Sequence, residues 1–529
     1  MNNYNYGGTR GSYGPPPGLD RPPQGMGGPP QGIGGPQQGM GDAPQGIGGP
    51  PNGMEGPPRG AGGPPQGFGG ASAGTGNPLG FAPVRSLMMK FAIPSIIGML
   101  VSALYNMVDQ LFIGKAVGTL GNTATSIAFP FTTGCMALAL LLGIGGASCF
   151  NLTLGMGDKK RAPYFAGNAL SLLVVSGVIL SVLTLFFLDP LLKRFGATEA
   201  VMSYAKEYVK YTAFGFPFLI LTAGGGHIIR ADGSPKMTML CNITGAVINT
   251  ILDAVFVIGL GWGMKGAAIA TVIGQFISAV IVVVYCFNFK TVYLFGRHLF
   301  PKFSIIGRVC SIGMASCFNQ LAIAIVQIVL NNSLRHYGGL SQYGAEDPIA
   351  VAGIVMKVNM IVFSIVIGLA QGTQPIESFN YGAQKYDRVR SAFWMAVKAG
   401  AAISLVAFVV FQLFPKQILG FFANKNASYG YYEFGAKFFR IFLFFTWINC
   451  LQPITSTFFT SIGKPIKGVF LSLTRQILFF LPLLVILPMV FEIEGILYTG
   501  PLADALSAVV AILMAMHEFK VMKRLDYYY

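Results

Sequence analysis

The chain has 529 residues, of which 53% are hydrophobic and 11% charged, with a mean hydropathy of +0.58. So few charges cannot clothe a soluble surface of this size, which excludes a soluble globular protein. A net charge of +16 would suggest nucleic acid in a soluble chain, but here Lys and Arg gather in short loops between apolar segments, the mark of membrane topology rather than of a nucleic-acid partner.

Residues 1 to about 80 form a Gly/Pro/Gln-rich arm built on a seven-residue repeat, seen at Pro29-Pro30-Gln31-Gly32, Pro50-Pro51-Asn52-Gly53 and Pro64-Pro65-Gln66-Gly67. Glycine does not fall at every third position, so a collagen helix is excluded. The arm has too little apolar mass to offset its ordering entropy and is expected to be disordered. It lacks the apolar core and cleavage site of a signal peptide, so the first apolar segment is expected to remain in the mature protein.

Twelve apolar stretches follow, at about 91–114, 123–147, 164–188, 208–229, 237–260, 265–287, 306–332, 349–376, 391–414, 438–461, 466–490 and 495–517. Each is near the roughly 20 residues that an α-helix needs to cross about 30 Å of hydrocarbon. Without the alternation of a closed barrel, a spanning chain has to be helical so that each segment satisfies its own backbone. The predicted fold class is therefore an all-α membrane protein of twelve transmembrane helices in two six-helix bundles. The N-terminal lobe is expected over 85–287, a linker over 288–305 and the C-terminal lobe over 306–520.

The basic loops set the orientation. Lys159-Lys160-Arg161, Arg230 with Lys236, Lys290 with Arg297, Lys302 and Arg308, Lys385 with Arg388 and Arg390, Lys464 with Lys467, and the tail Lys520, Lys523 and Arg524 all fall on one face. That face is expected to be cytoplasmic, with both termini on it, in a multi-pass protein of the plasma membrane.

The halves repeat one another. Gly233-Ser234-Pro235 returns as Gly463-Lys464-Pro465, Gly155 and Arg161 as Gly382 and Arg388, and Ser278-Ala279-Val280 as Ser507-Ala508-Val509, at offsets of 230, 227 and 229 residues. With six helices in each half, both repeats enter from the same side. The pseudo-twofold axis then runs along the membrane normal, with a cleft between the bundles, as in many secondary transporters.

An ionisable group inside a membrane helix costs at least about 2.5 kcal/mol, so each one is a candidate for function. Asp109 in the first helix follows Tyr105 and Asn106 by four and three residues on the same face. Asp253 in the fifth follows Asn249 by four, and Thr271 and Gln275 add oxygens from the sixth. Asp109, Asn249 and Asp253 could hold Na⁺, or the two carboxylates could share a proton; the same residues suit either chemistry. The bland alternative is that both acids only bind neighbouring helices.

The second half offers amides and no matching acid: Asn319, Gln320, Gln327 and Asn331 in the seventh helix, Gln371 and Gln374 in the eighth. Gln320, Gln327 and Asn331 share one stripe. With Gln371, Gln374 and Lys357 they are the candidate substrate-cleft residues, although such amides also glue helices together. Lys357 and Arg475 are mid-helix cations that could face the cleft, pair with an acid or snorkel. Glu377 reads as an interfacial or capping residue, His227 as a structural histidine at a helix end, and the seven cysteines as packing residues. Among the Gly clusters, 143–146 and 224–226 suit close helix approach.

In order along the chain, several motifs resemble those of the multidrug and toxic compound extrusion (MATE) family, particularly its bacterial MepA-like branch. They are Leu104-Tyr105-Asn106 with Asp109 and Phe112-Ile113-Gly114; Leu154-Gly155 with Gly157-Asp158; Ile229-Arg230-Ala231-Asp232-Gly233 with Pro235; and Gly372-Thr373-Gln374-Pro375 leading to Phe379-Asn380-Tyr381-Gly382-Ala383. The resemblance implies a twelve-helix antiporter that exports organic cations or drugs in exchange for Na⁺ or H⁺, with no cofactor beyond the coupling ion. The family's N-terminal cation site maps onto Asp109, Asn249, Asp253 and Thr271. Gly226 and His227 stand where MepA-like relatives tend to carry asparagines, which leaves the coupling ion open.

Two other function classes fit part of the sequence. A lipid-linked sugar or precursor flippase of related architecture would need several cleft cations, of which Lys357 and Arg475 are the visible pair. A non-transporting receptor or scaffold would depend on the arm. No nucleophile with a base and no phosphate-cradling loop occurs, so enzymatic activity is not expected.

Overall fold

Apolar segments this long cannot leave backbone N–H and C=O groups facing lipid, and each one closes its own hydrogen bonds as a helix. The computed structural model describes residues 77–344, 346–422 and 429–528. The Gly/Pro arm, save Asn77–Gly80, lies outside them. Among the described residues there is no strand. The membrane helices are α1 (Val84–Ala116), α2 (Leu120–Gly155), α3 (Ala162–Phe186), α4 (Glu199–Ala231), α5 (Pro235–Gly259), α6 (Gly263–Cys286), α7 (Phe303–Leu340), α8 (Asp347–Gly382), α9 (Tyr386–Leu413) and α10 (Tyr429–Ser461). A last helical stretch, Pro465–Leu525, is 61 residues long, more than two crossings need. Glu492, at φ 54°, breaks it into α11 (465–491) and α12 (493–525). Twelve crossings result, in two six-helix bundles.

The two bundles meet along α1, α2, α7 and α8, and glycine makes the approach close enough. A Cβ on Gly145 would lie 2.1 Å from the Val309 carbonyl oxygen, and one on Gly313 would lie 1.8 Å from that of Leu141. Gly372 and Gly368 do the same against Ala92 and Ile96, at 2.5 and 2.6 Å from their Cα atoms. Gly155 abuts the Phe379 carbonyl at 2.1 Å and Gly382 that of Leu152 at 2.2 Å. In every pair, residues 227 apart on α2 and α8, and 217 apart on α1 and α7, exchange roles. This is an isologous interface within one chain, and it fixes the pseudo-twofold axis.

All these glycine contacts fall at the ends of the helices that carry the basic loops. Toward the other ends, large side chains on the same helices are exposed, among them Leu104, Leu111, Phe129, Leu321, Ile325, Ile328 and Met360. The close contacts between the bundles thus gather at the basic face.

Two straps reinforce the closed end. Ahead of α1, the carbonyl of Leu79 accepts from Asn380 Nδ2 (2.9 Å) and Arg388 Nη2 (3.1 Å), that of Gly80 from Lys385 Nζ (2.8 Å), and that of Ala82 from Arg388 (2.6 Å). The entry to the first bundle is thus held on the second. Ahead of α7, Asn168 on α3 donates to the carbonyls of His298 and Phe300 and accepts from the Lys302 N–H at 2.7 Å. Asp232, just past α4, accepts from Tyr285 Oη, the Lys290 and Thr291 amides and the Thr291 hydroxyl. Burial pushes its carboxyl above the usual range, while these donors pull it back.

Candidate functional site

The α5 helix changes character at Asp253. The six residues that follow, Ala254–Gly259, form a π-helical turn, a distortion frequent at functional sites. Asp253 is fully buried, and Asn249 one turn earlier donates its amide to Thr271 Oγ1 on α6 at 3.2 Å. Asp109 on α1 lies near enough to Asp253 for the two carboxyls to interact. Both Asp253 oxygens, Asp109 Oδ1 and Asn249 Oδ1 are buried and receive no donor.

Acceptor oxygens packed together with no donor are costly unless positive charge joins them, either a proton shared by the carboxylates or a hard cation bound by all four. The donor set is oxygen only, which suits Na⁺ as well as H⁺.

The sequence-predicted residues divide. Asp109, Asn249, Asp253 and Thr271 come together, and Tyr105 lies close to both carboxyls. Asn106 does not join them: its side chain is exposed and its amide donates back to the Ser102 carbonyl at 2.7 Å. Gln275 packs on α4, where a Cβ on Gly215 would stand 2.6 Å from its oxygen. One neighbour escaped sequence reading. The buried Tyr208 on α4 lies close to Tyr105 and both acids. It stands at the edge of the predicted span, where a tyrosine normally marks the interface, so nothing in the sequence singled it out.

Away from the seam on α7, Gln327 Nε2 donates to Asn331 Oδ1 at 3.1 Å, and Gln320 continues their stripe half-buried. Lys357 is exposed on α8 and forms no ion pair among the described residues. Gln371 and Gln374, expected in the cleft, are buried instead in the closed seam. Arg230 Nη2 donates to Gln371 Oε1 at 2.9 Å and meets His227 Nδ1 at 2.9 Å. Gln374 Nε2 donates to Ser148 Oγ at 2.8 Å. His227 is therefore part of a polar latch between the bundles.

Two expectations need correction. The second half does hold a buried acid: Asp504 on α12 pairs with Arg475 Nε at 2.6 Å and accepts from Asn449 Nδ2 at 3.2 Å. A carboxylate and a guanidinium in adjacent apolar spans were the signal. Glu377, expected at the interface or as a cap, is instead buried within α8. The cysteines are free and buried or half-buried, as packing residues are.

A family model for MatE matches residues 94–255 and 315–486, one stretch in each bundle. The chain belongs to the MatE family. Among similar MatE proteins is the multidrug export protein MepA of Staphylococcus saprophyticus, 24% identical over 428 residues that cover 81% of this chain and 92% of the relative. That of Staphylococcus aureus strain N315 is 23% identical over 434 residues, covering 82% and 94%. Among solved structures, an outward-facing conformation of a multidrug resistance MATE family transporter of the MOP superfamily superposes with a TM-score of 0.79 at 24% identity, covering 86% of this chain and all of that one. A MOP superfamily transporter from Pyrococcus furiosus Vc1, described by the reverse polarity of its binding pocket, gives the same TM-score, identity and coverage. The MatE fold of this chain is that of the MATE transporters.

Proposed function

We propose that this MatE protein is a secondary antiporter of the plasma membrane, exporting organic cations or drugs in exchange for Na⁺ or H⁺ by alternating access. The curated relatives are named as multidrug export proteins. By the positive-inside rule the basic face, with both termini, is cytoplasmic, so the glycine seam closes the inner side of the cleft between the bundles. The observation that carries the coupling is the group of four buried acceptor oxygens on Asp109, Asn249 and Asp253.

The mechanism runs along α1. Its outer part brings Asp109 to Asp253, and its inner part packs Ala92 and Ile96 on the α8 glycines. At 1.5 Å per residue these points are about 20 to 25 Å apart along one helix. With the ion absent, repulsion between the carboxylates holds α1 away from α5. An ion arriving from outside removes that repulsion and lets α1 shift, which loosens the substrate in the cleft and biases the seam. Each elementary charge crossing about 100 mV supplies roughly 2.3 kcal/mol.

Arg475 is neutralised by Asp504, which removes one of the two candidate cleft cations and weighs against a flippase for anionic headgroups. Efflux of a cationic dye from cells expressing Asp253→Asn tests the proposal. Export should fall at least tenfold with the protein still in the membrane, whereas wild-type efflux would remove the acid from coupling.

A further inference from the structure

The repeat invites a comparison between the α5–α6 pair and the α11–α12 pair. Asp504 follows Gln275 by 229 residues, as Ser507 follows Ser278, and Arg475 follows Gly245 by 230, as Pro465 follows Pro235. In the first bundle position 245 has no room for a side chain, since a Cβ there would meet Ser278 Oγ at 2.3 Å. In the second bundle the equivalent position sends a guanidinium to a carboxylate, one helical turn from the level of Asn249 and Thr271. Arg475 is held between the rings of Phe363 and Phe480, at 5.9 and 5.8 Å. Phe363 and Asn449, which touch the pair, also line a cavity of about 10 Å³, room for one water-sized body, whose other walls are Asn359, Ser404, Thr446 and apolar side chains. Asn359 Oδ1 and Asn449 Oδ1 are buried there without a donor. The second bundle thus gathers a carboxylate and amide and hydroxyl oxygens much as the first does, with a cation covalently attached.

We propose that the Asp504 pocket is a second monovalent-cation site whose occupant is the tethered guanidinium of Arg475, so that exchangeable cation binding is confined to the first bundle. This rests on the reading of Asp109 and Asp253 as the exchangeable site. A fixed occupant cannot cross the membrane or be released, so it adds no ion to the transport stoichiometry. Removing the side chain while keeping Asp504 leaves an acceptor-lined pocket that a small cation can fill.

The test uses thermal unfolding of the full-length protein in an Asp253→Asn background, in which the first-bundle site does not contribute. Arg475→Ala should lower the melting temperature by several degrees, because it strands a buried carboxylate. Millimolar methylguanidinium should restore it saturably, while tetramethylammonium at equal ionic strength should not. Arg475→Ala with Asp504→Asn should show no response to methylguanidinium. A single variant indifferent to methylguanidinium, or a double variant that responds equally, overturns the proposal. Should the alanine chain fail to fold, Arg475→Gln with Asp504→Asn in an otherwise wild-type chain serves. Reconstituted, it should move the same number of coupling ions per substrate as the parent, and a changed number overturns the proposal. The melting arm is independent of whether Asp109 and Asp253 couple, so failure of that reading leaves its own signature.

Discussion

Replacing the Asp253 carboxylate by an amide turns one acceptor into a donor aimed at Asp109 or Asn249, whose oxygens have none. Asp253→Asn should therefore unfold no more easily than wild type, with a gain of about 1 kcal/mol from the satisfied oxygens. It should also lose the part of the melting-temperature response to Na⁺ and pH that the Asp109–Asp253 pair supplies. Thermal unfolding across a salt and pH matrix measures both, and a variant that still responds as wild type does would clear Asp253 of ion binding. The acids were legible because a charge in an apolar span has few reasons to be there. Tyr208 was not, because an aromatic hydroxyl at a helix edge is commonplace. Gln371 and Gln374 were legible as polar but not as seam residues, since a helical pattern fixes a face and not the partner packed on it.

At the scale of helices, the seam is sterically unforgiving. A methyl at Gly313 has no space beside the Leu141 carbonyl, so Gly313→Ala should push the basic ends apart at a cost of about 1 to 3 kcal/mol. Cys149, buried beside that interface, reports the change. In a chain with the other cysteines replaced by serine, maleimide labelling of Cys149 should accelerate severalfold, and an unchanged rate would mean that the seam tolerates the methyl. Because Gly155 and Gly382 are mates on the pseudo-twofold axis, their alanine variants should shift labelling alike. The twelve spans were readable from apolarity alone, and the repeat from its motifs at 227 to 230 residues. The 217-residue offset between α1 and α7 was not, because those helices share no motif, and only their packing against α8 and α2 reveals the match.

For the molecule as a whole, the strap before α1 ties the first bundle to the second through the carbonyls of Leu79, Gly80 and Ala82. Deleting residues 1–76 spares these contacts and should leave export near wild type, as expected of a pump and not of a scaffold built on the arm. Arg388→Ala removes the donor shared by two of those carbonyls and should lower the melting temperature by a few degrees. Whole-cell dye efflux and thermal unfolding read the two outcomes. The central claim is that ion occupancy of the Asp109–Asp253 pair drives export. The most direct measurement is uptake of a cationic substrate into proteoliposomes with Na⁺ and pH gradients imposed independently. One of the two gradients should drive accumulation in the wild type and neither should do so in Asp109→Asn with Asp253→Asn. Gradient-driven accumulation in that double variant at the wild-type rate would contradict the account.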